Sequence, residues 1–196
     1  LQKFPKPDWA VQYVPHGVNE KKFFPITELH PQFEEYNKWF TDFKRNNNIN
    51  FIVFWNNRNI RRKQPGDVAM AYKYFMDELT PEQRDECVLI YHCTPVDDNG
   101  TDLPRLMKHL MPDYDVCFTH YLRGKDGGFD DDEMNLVFNT ADVYINLASN
   151  EGFGLGSCEA LTVGTPIIVN VTGGLQDQCG FTNKDGEFLV PDDYVE

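Results

Sequence analysis

The chain has 196 residues, a net charge of −13, 41% apolar residues and 25% charged ones. That balance is ordinary for a folded protein and excludes a disordered chain, while the acidic excess argues against nucleic acid or an anionic membrane as main partner. No apolar run approaches the roughly 18 residues of a membrane span, and the opening "LQKFPKPDWA" lacks the apolar core of a signal peptide.

The length suits one large domain, or a fragment of one and a half. With no initiator Met, the chain is expected to be trimmed or part of something longer. The cysteines (Cys87, Cys93, Cys117, Cys158, Cys179) are odd in number and lack C-x-x-C spacing. They read as reduced thiols of a cytoplasmic protein, not as a zinc site or disulfide frame.

Residues 1–25 read as the end of a preceding domain and a connector, with "AVQYVPHGVNEKKFFP" strand-like and then broken by proline and glycine. Phe33, Tyr36, Phe40 and Phe43 then form one stripe of an amphipathic helix that ends at "NNN". The next strand is "NFIVFW" (50–55), continuous and apolar, as expected of burial on both faces. "RNIRRK" follows, and a helix over 66–79 places Val68, Tyr72, Phe75 and Leu79 on one side. "CVLIYHC" (87–93) reads as the second strand, "LPRLMKHLM" as a short helix and "DVCFTHYL" (115–122) as the third strand. A helix over 131–140 precedes the fourth strand, "DVYINLAS" (142–149). "GLGSCEALTVG" is a helix closed by Gly164, "PIIVNV" (166–171) a fifth strand and "GEFLV" (186–190) a sixth.

Strands alternating with helices predict an α/β fold, a Rossmann-like doubly wound parallel sheet spanning 26–196. Ligands of such sheets sit beyond the carboxyl ends of the strands. "RNIRRK", "THYLRG", "SNEGFG" and "NVTGG" all fall there, which predicts a nucleotide site. Positive charge is concentrated in one place, at Arg58, Arg61, Arg62 and Lys63.

In "SNEGFGLGSCEAL" the glycines let the backbone turn tightly beside a ligand. The helix that follows offers free N–H groups and a positive dipole end to an anion such as a diphosphate. Glu151 precedes that helix, where it can accept hydrogen bonds from sugar hydroxyls; Glu159, about two turns on, could hold a ribose diol. On spacing alone, a helix-start charge, packing turns and a surface glutamate explain the pattern equally well.

"EGFGLGSCEA" resembles the E-x7-E signature of family 4 retaining glycosyltransferases, and "LTVGTPIIVNVTGGLQD" continues that family's pattern. "VPHGVNEKKFFP" is similar to its connector between two Rossmann-like halves, "FIVFWNNRNIRRK" to its donor-phosphate segment, and "VFNTADVYINLAS" to the run before the signature. The resemblance extends from about Val11 to Val190 in the family's order. It implies the C-terminal, donor-binding half of a two-domain GT-B enzyme, a hexosyltransferase that uses a UDP- or GDP-linked sugar without metal or cofactor.

By the same resemblance, Glu151 meets the transferred sugar and Glu159 the ribose. Gly152, Phe153, Gly154 and Leu155 face the sugar and diphosphate, Arg58 and Lys63 are the cations on the departing diphosphate, and the main chain of Leu122 meets the base. Arg61 and Arg62 read as solvated neighbours. Departures from the family pattern are His16 and Asn19 in the connector, Asn57 before the arginine, Gln64 after the lysine and Asp177 in "GGLQD".

Other features have plainer readings. "FDDDE" (129–133) caps the following helix and is not a metal motif. His92 and His120 are core or rim residues, and His16 is open to a cleft role. The N-terminal acceptor domain and the closing C-terminal helix are expected to be missing, which leaves the isolated chain inactive. The alternatives are a sugar-nucleotide 2-epimerase of the same architecture and a non-catalytic nucleotide-binding remnant.

Overall fold

The structure, a computed structural model, describes residues 16–122, 128–170, 172–180 and 185–187. Five parallel strands form one sheet in the order β3-β2-β1-β4-β5: β1 Phe51–Asn56, β2 Cys87–His92, β3 Val116–Phe118, β4 Val143–Asn146 and β5 Ile167–Val169. The helices are α1 Phe33–Asn46, α2 Pro65–Asp77, α3 Pro81–Arg84, α4 Leu103–Leu110, α5 Asp131–Thr140, α6 Leu155–Val163 and α7 Leu175–Cys179.

Alternation along each strand feeds two cores, because successive side chains point to opposite faces. Val53, Trp55, Leu89 and Tyr91 meet Val68, Ala69, Tyr72 and Met76 of α2, together with Leu103 and Met107 of α4. Ile52, Phe54, Val88 and Ile90 meet Met134 and Phe138 of α5 and Ala160 and Val163 of α6 on the other face. Helices therefore cover both faces, and the sheet is doubly wound.

The helix ends follow local chemistry. Asp130 and Glu133 form a capping box at the start of α5, each side chain accepting from the other's backbone N–H at 2.9 and 3.0 Å. "FDDDE" is therefore a helix start, and Asp131 within it pairs with Lys22. Among the described residues, no group of three His, Cys, Asp or Glu side chains is placed to hold a metal, and no helix is long and apolar enough to cross a membrane.

The elements differ from expectation in their ends. Phe75 lies 37% exposed against Phe51, and Met76 is the buried residue at that turn of α2. The third strand stops at Phe118 and turns as a 3-10 helix, Thr119–Tyr121, because the buried Thr119 hydroxyl bonds the His92 ring at 2.8 Å at the end of β2. The fourth strand stops at Asn146, whose side-chain oxygen accepts from Ala148 N at 3.1 Å. Of the expected sixth strand, Gly186 and Glu187 are described and form no strand, while residues 188–190, like residues 1–15 of the connector, fall outside the described residues.

Residues 16–26 lie on this domain. Phe23 is buried in the α5 core, and Asn135 and Asn139 of α5 bond the backbone N–H groups of Phe24 and Ile26 at 3.0 and 2.8 Å. No sequence pattern had marked these two asparagines. One turn apart on α5, they give an extended segment the partners that a strand would.

The strand order reverses between β1 and β4, so the loops leaving these two strands diverge around a crevice at their carboxyl ends, where doubly wound folds bind ligands.

Burial pushes the His92 imidazole below its ordinary range. The unfolded chain then binds the extra proton between the folded value and about pH 6.5. Stability is full above that window and falls as pH drops through it. The melting temperature is expected to fall from pH 7 to pH 5 less steeply in His92→Gln than in the parent. Parallel curves would refute this.

Candidate functional site

The loop after β1 is shaped by Asn59, which is fully buried. Its amide donates to the carbonyls of Pro95 at 3.0 Å and Thr101 at 2.7 Å, and its oxygen accepts from Thr101 N at 3.1 Å. This anchor separates the basic residues around it. Arg58 leaves toward the loop after β2 and pairs with Asp97, with Nε to Oδ2 at 3.0 Å. Residues Arg61–Lys63 wind as a 3-10 turn toward the end of β4.

There the backbone carbonyl of Arg62 accepts from Ser149 N at 2.8 Å and Ser149 Oγ at 3.3 Å. The Arg62 guanidinium donates to Asn150 O at 2.8 Å and reaches Glu151 Oε2 at 3.4 Å. Lys63 Nζ lies 2.5 Å from Glu151 Oε1. Both partners are withdrawn from water, at 11% and 4% side-chain exposure. Asn146 completes the shell, donating to Glu151 Oε1 at 3.1 Å.

Burial pushes the Lys63 ammonium below the usual lysine range, Arg62 adds to that, and Glu151 opposes both. A buried carboxylate persists only with partners of this kind. The cation beside Lys63 is thus Arg62 and not Arg58, because Asn59 turns the chain between them. Nothing in the residue types separated these two arginines.

The glycine turn is fixed from behind by α7 and the loop before it. Gly154 adopts φ 89° and packs against Leu175. Gly174 N donates to Glu151 O at 2.8 Å, and a Cβ at Gly173 would collide with that same carbonyl. Gln178 donates to Phe153 O, and the Phe153 ring stacks on His16 with centroids 4.8 Å apart. Gly152 and Leu155 are exposed. Helix α6 follows Gly154, which has no side chain to cap it, so its first turn presents N–H groups and a positive dipole end that suit an anion.

Glu159 stands apart from the Glu151 cluster. Burial raises its carboxyl above the usual range, and Asp131 of α5 adds to this. The buried Tyr144 hydroxyl is raised by burial first, then by the charges of Glu159 and Glu151. Leu122 is 63% exposed beyond the 3-10 turn and lines a 410 Å3 hollow with Thr119, Phe129 and Ile90. A second hollow, of 540 Å3, lies between Arg61, Gln64 and Asp98. Neither hollow is lined by Lys63 or Glu151.

Residues 127–194 match the family described as "Glycosyl transferases group 1". The matched stretch includes Glu151, the glycine turn and Glu159. A comparison with curated proteins gives no match. Sucrose-phosphate synthase (tll1590) from Thermosynechococcus elongatus is 24% identical, with a TM-score of 0.58 over 92% of this chain and 39% of that one. Anabaena Alr3699/HepE, solved with UDP and glucose, is 17% identical, with a TM-score of 0.59 over 91% of this chain and 42% of that one. The C-terminal domain of a glycosyl transferase group 1 family protein (LpcC) from Francisella tularensis is 21% identical, with a TM-score of 0.54 over 89% of this chain and 80% of that one.

This chain therefore spans under half the length of the first two proteins and most of the isolated C-terminal domain. At these identities the likeness is one of fold: the Rossmann-like α/β fold of the C-terminal half of GT-B glycosyltransferases.

Removing the Lys63 charge strands a buried carboxylate. Lys63→Met is expected to destabilise the fold by about 3 kcal/mol, and adding Glu151→Gln should recover most of that in urea unfolding. Additive losses would contradict the pairing.

Proposed function

We propose that this chain is the donor-binding domain of a retaining, metal-independent glycosyltransferase that uses a nucleoside-diphosphate sugar, with UDP or GDP as the carrier. The observation that carries the reading is the buried Lys63–Glu151 contact beside the uncapped start of α6. It sets a cation, a row of N–H groups and a carboxylate around one position at the sheet's switch point. The family match to residues 127–194 supports the same class, as do fold relatives solved with UDP-glucose and with UDP-2-fluoro glucose.

The chemistry follows from charge. Breaking the bond between the anomeric carbon and the phosphate oxygen leaves the electron pair on the diphosphate and positive charge on the sugar. Fixed donors aimed at the leaving oxygens lower that barrier without reorganising, and one such donor is worth about 3 kcal/mol. Lys63, Arg62 and the first-turn N–H groups of α6 supply them here.

Glu151 serves as counter-ion to Lys63 and Arg62 until the diphosphate takes those cations over. Its carboxylate then faces the sugar and steadies its hydroxyls and the developing positive charge. Arg58 is a reserve cation, held by Asp97 until a ligand competes for it. Glu159 binds the ribose, and Leu122 borders the base. A preceding acceptor-binding domain supplies the second substrate, and the whole enzyme works in the cytoplasm.

Differential scanning fluorimetry tests the ligand class. UDP- or GDP-sugars are expected to raise the melting temperature while NAD does not, and a flat response to every nucleotide sugar would end the reading. In the complete enzyme, Glu151→Gln is expected to lower transfer on the order of a hundredfold or more while UDP still binds. Unchanged turnover would remove Glu151 from the chemistry.

A further inference from the structure

We infer that Asn146 is the positioning residue that fixes the Glu151 carboxylate, and that its hold matters most once a ligand has drawn the cations away. This rests on the reading of Glu151 as the group that meets the donor sugar.

Asn146 ends β4 directly after the buried Tyr144 and Ile145, and it is itself 1% exposed. An amide buried there is costly unless its hydrogen-bonding groups are satisfied. Here they are. Its oxygen accepts from Ala148 N at 3.1 Å, and its nitrogen donates to Glu151 Oε1 and to Ser157 Oγ of α6, each at 3.1 Å. Ala148 N can only donate, so the amide cannot flip, and its NH2 group is committed to the carboxylate and the helix.

The carboxylate is therefore held from two sides. Lys63 and Arg62 approach from the turn after β1, while Asn146 approaches from the end of β4. A diphosphate competes for the two cations, but it has no claim on a neutral amide already buried between strand and helix. Asn146 is thus the partner that keeps the Glu151 oxygen aimed at the sugar when Lys63 turns to the phosphate. Neither aspartate nor leucine could do this, because neither offers a donor at neutral pH.

The proposal predicts a defect in sugar recognition and not in nucleotide binding. Asn146→Asp is nearly isosteric and keeps the acceptor for Ala148 N, but it replaces the donor with a second carboxylate beside Glu151. The charged groups facing it are Glu151, Lys63 and Arg62.

Calorimetry on the chain, with UDP-glucose and UDP titrated separately, gives an affinity ratio that isolates the sugar. At pH 8 the Asn146→Asp ratio is expected to fall about tenfold, with UDP affinity within about twofold of the parent. Lowering the pH should bring the ratio part of the way back, because protonating the introduced carboxyl restores a donor toward Glu151. Asn146→Leu should stay low as the pH falls. An unchanged ratio, or equal loss for UDP and UDP-glucose, would overturn the proposal.

NMR of the Asn146 side-chain amide needs no ligand. Its Nδ2 protons should shift in Glu151→Ala, and protons unmoved by that change would also overturn the proposal. Should the parent chain bind neither UDP nor UDP-glucose, the proposed function fails, and the amide signal alone decides whether Asn146 holds Glu151.

Discussion

The buried contact between Lys63 and Glu151 constrains everything around it. Two ionised groups withdrawn from water are tolerated only with close geometry and further hydrogen bonds. The structure supplies both by tying two distant loops together. Arg62 O receives Ser149, the Arg62 guanidinium reaches Asn150 O, and Gly174 N holds the Glu151 carbonyl. Asn59 aims the first loop from beneath, and Gly173 lets the loop after β5 close over the second. The result is one rigid rim across the switch point of the sheet.

That rim also reconciles an acidic molecule with the anionic ligand proposed for it. A net charge of −13 repels phosphate at long range, but screening confines such effects to about 10 Å. Inside that distance the balance is local. Two cations and the start of α6 surround a single carboxylate, which can release them to a stronger anion. Arg58, satisfied by Asp97, adds a third cation nearby.

Much of this was legible in the residues, and the gaps have physical causes. The parallel sheet could be read because β1 and β2 are buried on both faces and carry no strongly polar residue before their last ones, Asn56 and His92. The helix over Asp131–Thr140 could be read because a capping box is local chemistry. The ends of the third and fourth strands could not, since Thr119 and Asn146 end them with bonds set by the fold. Glu151 and Lys63 stood out through family resemblance. Arg62 did not, because choosing among three arginines depends on a buried asparagine and a 3-10 turn. Asn146 carried a faint signal, as the lone amide among apolar residues just before the glycine turn. Its meaning came only from its partners.

A crystal structure of the chain with UDP-glucose bound tests the central claim most directly. The diphosphate is expected at the start of α6 within hydrogen-bonding distance of Lys63, with Glu151 turned to the sugar and still held by Asn146. A diphosphate bound elsewhere, with Lys63 still on Glu151, would contradict it.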